Sequence, residues 1–282
     1  MTHHIKPNPS TITIDVTPES AGWKYLGFRV VSLKNRENYS ESTGRNEVAL
    51  VPLSGSGRVT ACPDGGGVGG QTLELARESV FIQMPQVLYV PPGHEIQVET
   101  ENGFEFATGS APAQGRYPLR LFQPHEMKQE VRGGGAATRQ VNHILNHPLP
   151  AERLILFEVY VPGGMWSGYP PHCHDGYMGS SHLEETYYYR ISPDTGFAIH
   201  RNYRRDNDFD ELFTVKNGDL VLVTQGFHPV AAPPGSNIYF LNYLAGDLLE
   251  EARGTPPFDD PDWGWIKEDW GGRAMELPLV EG

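Results

Sequence analysis

Residues 183–190 read Leu-Glu-Glu-Thr-Tyr-Tyr-Tyr-Arg, a run dominated by the aromatic and β-branched types that suit a strand. Successive side chains on a strand point to opposite faces. Leu183, Glu185, Tyr187 and Tyr189 therefore share one face, and Glu184, Thr186, Tyr188 and Arg190 share the other. The first set is the more apolar and is expected to line the interior of a β-barrel. A carboxylate on that face is costly to bury without a partner. Glu185, rather than Glu184, is therefore expected to meet a cation.

On either side of this segment lie further short apolar runs: ERLILFEVYVPGG before it, and GFAIHRNY, DLVLVTQG and NIYFLNYLAG after it. The first half carries the same kind of run in YLGFRVVSL, EVALVPLSG, SVFIQM, VLYVPPG and EIQVET. All are broken by Gly, Pro, Asn or Ser, and none shows a helical period. The chain reads as all-β. The polar opening, residues 1–20, leads into the first runs, and the span 113–151 reads as a connection. The halves also resemble each other coarsely: Glu47 and His94 precede Glu185 and His228 by 138 and 134 residues. Two barrel domains are expected, residues 1–125 and 126–282, with an acidic, aromatic tail after Asp247 packed across the outside of the second.

The chemistry is carried by Tyr169-Pro-Pro-His-Cys-His-Asp175. On a strand, His172 and His174 project to one face roughly 7 Å apart, close enough to grip one cation if other ligands complete the shell. Gly226-Phe-His228-Pro229 ends a later strand, where the glycine permits a tight turn that can aim His228 into the barrel mouth. His172, His174, Glu185 and His228 form a shell of three nitrogens and one oxygen for one divalent ion, and that donor set suits Zn, Mn, Fe, Ni or Co alike. His182, inside the ten residues between His174 and Glu185, is a competing ligand. The first half has no His-x-His, so its barrel is expected to lack a metal and His94 to be structural.

The formal net charge of −13, with 35 acidic against 22 basic residues, argues against nucleic-acid and anionic-membrane partners. No run approaches the ~20 apolar residues of a spanning helix, and residues 1–10 lack a signal-peptide pattern. Cys62 and Cys173 are the two cysteines, too few for a disulfide framework, so a reducing cytoplasm is the expected location. A small-molecule substrate fits best, and a homo-oligomer is compatible with the sequence.

The spaced His-x-His, Glu and Gly-x-His elements resemble the metal motifs of the cupin superfamily. The strings AGWKYLGFRV, NEVALVPLSG, PAERLILFEVYVP, WSGYPPHCHD, LEETYYYRI and GFHPVAAPPG resemble, in that order, the bacterial 5-deoxy-glucuronate isomerase family of myo-inositol breakdown. The resemblance runs from about Gly22 to Gly246. Thr224 stands where the related motif usually has proline, and Cys173 where lysine is common; neither change removes a ligand. The resemblance implies a bicupin, two jelly-roll barrels of which one bears metal. It also implies an aldose–ketose isomerase that converts 5-deoxy-D-glucuronate, a sugar acid, to 2-deoxy-5-keto-D-gluconate. Metal-assisted proton transfer is the expected chemistry, with Tyr187, on the inward face beside Glu185, as the candidate catalytic side chain. The substrate carboxylate calls for an arginine, and Arg120, Arg139, Arg153, Arg190 and Arg201 are equal candidates. Three other readings compete: an Fe(II) dioxygenase, an isomerase of 4-deoxy-5-keto-uronates from pectin, and a non-catalytic sugar-binding barrel.

Overall fold

Residues 2–65, 69–271 and 273–279 are described by a computed structural model. The alternation in residues 183–190 is realised on a ten-residue strand, Leu183–Ser192. It lies within a seven-stranded antiparallel sheet ordered His4–Ile5, Leu220–Val223, Leu183–Ser192, Asn237–Gly246, Ile155–Val161, Arg139–Leu145, Lys128–Arg132. A four-stranded sheet, Trp166–Ser167, Val230–Ala231, Ala198–Tyr203 and Asp210–Val215, faces it. Tyr187, Tyr189, Val221, Phe240 and Val215 fill the space between them, so the odd-numbered face of 183–190 does point into a barrel.

The first barrel is a nine-stranded sheet curled around one long strand, Asn46–Pro63. The first half of this strand pairs with Val87–Val90 and Phe104–Pro112, and its second half with Gln71–Arg77 and His94–Glu99. Val31, Leu50, Val59, Leu88, Ile96 and Phe106 make its interior core. The fold is thus two jelly-roll barrels in tandem, a bicupin, as the sequence suggested.

The outer faces of the two large sheets pack back to back. Across three strands of the second barrel, Leu156, Tyr243 and Thr186 stand in one row; Phe28, Gly109 and Ala49 stand in the matching row of the first. These rows meet at the interface, where a Cβ on Gly109 would lie 2.0 Å from the Tyr243 ring. Tyr243 donates its hydroxyl to the carbonyl of Ala49 at 3.1 Å. Phe28, Leu156 and Leu241 are fully buried there, and each contributes roughly 1.5–3 kcal/mol relative to exposure.

The same registers correct the internal repeat by one residue. Glu47 pairs across from Ala111, as Glu184 does from Ala245, so the counterpart of Glu47 is Glu184 rather than Glu185. Both carboxylates do one job. Glu184 accepts from the backbone N–H groups of Lys24, Tyr25 and Leu26 at 2.6–2.9 Å, and Glu47 from those of Glu152, Arg153 and Leu154 at 2.6–2.8 Å. Each barrel reaches across to hold the segment entering the other. A buried ion pair adds to the junction: Arg77 Nη1 lies 2.6 Å from Glu158 Oε1, with both side chains fully enclosed.

One span departs from the sequence reading. The span 113–151 was expected to be a connection, yet it contains the strands Lys128–Arg132 and Arg139–Leu145 at the edge of the second sheet. Lys128–Arg132 is a largely exposed edge, and polar Arg139, Gln140, Asn142 and His143 interrupt the apolar Val141, Ile144 and Leu145 of its neighbour. The N-terminal arm is also structured: His4–Ile5 pairs with Leu220–Val223 of the second barrel, anchored by His4 Nε2 at 2.7 Å from Asp219.

Candidate metal centre

The inward row that begins at Glu185 opens into the mouth of the second barrel. Glu185 Oε2 lies 2.8 Å from His174 Nε2 and 3.3 Å from His228 Nε2, and all three side chains are buried. Their ligand atoms fall within 4.8 Å of one another. His174 donates Nδ1–H to the carbonyl of Leu183, and His228 donates its own to that of Gly226, both at 3.0 Å. Those bonds turn both Nε2 atoms toward the carboxylate, the orientation a metal-binding imidazole needs. His172 sits at the rim of the same cavity, its ring centroid 4.8 Å from that of His228 and 6.4 Å from that of His174. It lies outside the tight group of three. Cys173, between the two histidines, points the other way and packs against Tyr203 and Phe227.

The donors fit a cation. His228 Nε2 is buried with no hydrogen-bond partner among the described residues, although it lies beside a carboxylate. An unfilled buried polar atom is costly, and a lone pair facing an anion needs positive charge between them. Burial pushes the Glu185 carboxyl up, but the hydrogen bond and charge of His174 at 2.8 Å lead the effects that outweigh this and hold it at about 2. Glu185 is thus a full anion in the barrel interior, and two imidazoles with one carboxylate suit a divalent transition ion.

The backbone around the site is fixed by side chains that sequence reading passed over. Asp175, next to His174, accepts from the N–H groups of Gly226 at 2.7 Å and Tyr177 at 3.1 Å, and from Arg204. One carboxylate thereby ties the His174 strand to the turn that carries His228. Gly226 has φ +80°, and a Cβ there would lie 2.2 Å from the carbonyl oxygen of Tyr203, so the turn requires glycine. The ten residues before Glu185 fold into a short excursion whose ends meet, with Asp175 bridged to His182 and Leu183 N–H donating to His174 O at 2.7 Å. His182 is exposed on that excursion and does not reach the ligand group.

A cavity of about 310 Å³ opens over the histidines, with Tyr187, Asn242, Arg139 and His143 in its wall. The five candidate arginines now separate. Arg120 pairs with Glu126, Arg190 with Glu105 of the other barrel, and Arg201 with Asp210 on the outside. Arg153 lies over the Tyr25 ring and donates to Pro112 O. Arg139 alone of the five lines the cavity, and it has no carboxylate partner among the described residues. Burial and the neighbouring Arg132 lower its affinity for its proton, the mark of a cation lacking a counter-charge. His143 Nε2 lies 2.8 Å from Glu130; burial outweighs that bond and lowers its pKa, keeping the imidazole neutral. Burial, reinforced by Glu185, pushes the Tyr187 phenol well up, so it stays protonated.

The tail does more than cross the outside. Arg253, Gly254, Thr255, Pro256 and Pro257 form part of the cavity wall. Phe258–Asp259 then pairs as a strand with His172–Cys173. The tail therefore positions the strand that carries His172.

Residues 2–266 match the KduI/IolB family. The 5-deoxy-glucuronate isomerase of Geobacillus thermodenitrificans strain NG80-2 is 41% identical over 266 residues, 93% of each chain. That of Bacillus subtilis strain 168 is 32% identical, covering 94% of this chain and 96% of its own. Among solved structures, an IolB-like protein from Salmonella typhimurium LT2 superposes with a TM-score of 0.86 at 34% identity, over 94% of this chain and 99% of that one. Bacillus subtilis oxalate decarboxylase, a protein with Mn(II) centres, superposes with a TM-score of 0.63 at 14% identity, over 92% and 79% of the two chains. At that identity the likeness concerns the fold alone.

Proposed function

This chain belongs to the KduI/IolB family, and from that premise we propose that it is a 5-deoxy-glucuronate isomerase, an aldose–ketose isomerase acting in the cytoplasm in myo-inositol catabolism. It interconverts 5-deoxy-D-glucuronate and 2-deoxy-5-keto-D-gluconate. The carrying observation is similarity to isomerases of that name over nine-tenths of the chain, joined to a buried His174–Glu185–His228 group at the mouth of a cavity walled by an uncompensated arginine. We assign His172, His174, Glu185 and His228 as the ligands of one divalent ion. His174, Glu185 and His228 stand together, and His172, at the rim beside His228, would supply the fourth donor.

When bound, the ion supplies a Lewis acid that polarises the carbonyl and offsets the negative charge developing as the proton leaves carbon. The rest falls to the chain. Arg139 anchors the carboxylate of the sugar acid through its planar guanidinium, which fixes the far end of the substrate relative to the histidines. Tyr187, held protonated by burial, donates a hydrogen bond to a reacting oxygen. His143, held between Glu130 and Asn146, stands in the same wall and orients the groups around Arg139. The tail residues 253–257 cover part of the opening and limit water access.

The direct test is incubation of the purified protein with 5-deoxy-D-glucuronate, and separately with a 4-deoxy-5-keto-uronate, followed by NMR. Turnover of the first and not the second is expected. Preference for the second would move the assignment to the other uronate reaction.

A further inference from the structure

The mouth of the first barrel holds a cavity of about 410 Å³ at the place the metal centre takes in the second. Strand registers make the equivalence explicit. Gly27, Ser110 and Val48 stand in one row, as Ile155, Leu244 and Glu185 do. In the next inward row, Arg29, Thr108 and Leu50 answer Phe157, Asn242 and Tyr187. Val48 therefore stands where Glu185 does, and the carboxylate ligand has no counterpart. The space has nonetheless not been filled with apolar side chains. Glycine and serine replace isoleucine and leucine, and arginine replaces phenylalanine, so this wall is smaller and more polar than its metal-bearing twin.

Among the described residues, two buried polar atoms on residues that line this cavity lack hydrogen-bond partners. Glu41 Oε2 accepts from Arg29 Nη1 at 3.2 Å and from the Tyr39 hydroxyl at 2.9 Å. Its Oε1 is buried with no hydrogen-bond partner among the described residues, on a side chain only 9% exposed. The Trp23 indole N–H, on a residue that lines the same cavity, is buried without an acceptor. An open acceptor and an open donor are what a ligand hydroxyl satisfies at once. Asn46, Thr108 and Ser110 supply further neutral polar groups. Arg29 is already shared between Asp15 and Glu41, so it is not free to hold an anion. Lys24 and Glu19, also in the lining, offset each other.

We propose that this cavity is a second binding site, for a neutral polyhydroxylated ring of monosaccharide size. Its volume falls within the usual range for small-ligand sites, roughly 300–1,000 Å³. Recognition runs through Glu41 Oε1 and the Trp23 N–H and needs no metal, so the site is independent of the isomerase reading.

Saturation-transfer NMR with D-glucose as the neutral probe and D-glucuronate as its anionic counterpart tests the site. D-glucose should give a saturable signal that a chelator leaves unchanged. Glu41→Gln should weaken it about tenfold, as expected for loss of a charge-assisted hydrogen bond. Ser110→Leu, which installs the residue the second barrel has at this position, should abolish it, and both variants should keep wild-type isomerase turnover. If Ser110→Leu does not fold, the isosteric Glu41→Gln decides alone. Absence of saturable D-glucose binding, binding untouched by Glu41→Gln, or equal competition by D-glucuronate each overturns the proposal.

Discussion

Glu184 and Glu185 are adjacent in sequence, both are buried, and they belong to different barrels' business. Glu185 faces the histidines, and Glu184 holds the backbone of residues 24–26. Glu185→Gln should abolish tight metal retention, read by elemental analysis after dialysis. Glu184→Gln should keep the metal but lower stability by about 1.5–3 kcal/mol in urea titration, since three backbone N–H groups lose a carboxylate acceptor. Arg139→Met should raise KM for the sugar acid by at least about tenfold, because a buried ion pair with substrate is lost, with a smaller change in kcat. An unchanged KM would remove Arg139 from the substrate site. Side-chain alternation made the choice of Glu185 legible in sequence. The choice of Arg139 among the five arginines was not legible, nor was His143, because their strand carries polar residues on both faces and reads as a connection. Asp175 could have been noticed as the residue closing the His-x-His motif, but its partners lie on loops far away in sequence.

At the scale of elements, the site depends on strands donated from elsewhere. The tail strand Phe258–Asp259 braces His172–Cys173, and buried Asp260 anchors it by accepting from the Tyr203 hydroxyl at 2.6 Å and from Arg205. Asp260→Ala should loosen that brace and weaken metal affinity by roughly 10–100-fold, the range for supporting residues, measured by competition with a chelator. Unaltered affinity would mean that His172 needs no support from the tail. The acidic, aromatic composition after Asp247 told that the segment packs against the barrel. It did not tell where, because two-residue strands have no pattern to read.

For the molecule as a whole, two back-to-back barrels make stability depend on groups far from solvent. His200 is fully enclosed in the second barrel, between the Tyr189 hydroxyl at 2.7 Å and Asn202 Oδ1 at 2.8 Å. Burial, with a further contribution from His228, lowers its pKa to about 3, against about 6.5 in an unfolded chain. Between those values the unfolded chain binds the extra proton. Its contribution is complete above about pH 6.5 and is lost as pH falls toward 3, at up to roughly 1.4 kcal/mol per pH unit. Urea midpoints of the metal-free protein should therefore decline through that window. His200→Gln should flatten the decline, and an unchanged slope would show that other groups govern acid lability. The two-barrel plan was visible in the spacing of short strands. The one-residue slip in the repeat was not, because Glu47 and Glu185 look alike until strand registers separate inward from outward rows.

The central claim is an isomerisation that depends on a divalent ion held by His172, His174, Glu185 and His228. Its most direct test follows 5-deoxy-D-glucuronate by NMR, without oxygen, using protein stripped by a chelator and then resupplied with Mn, Zn, Fe, Ni or Co. Turnover should stop on stripping, return with at least one of these ions, and fail to return in Glu185→Gln. Full turnover by protein shown to be free of metal would contradict it.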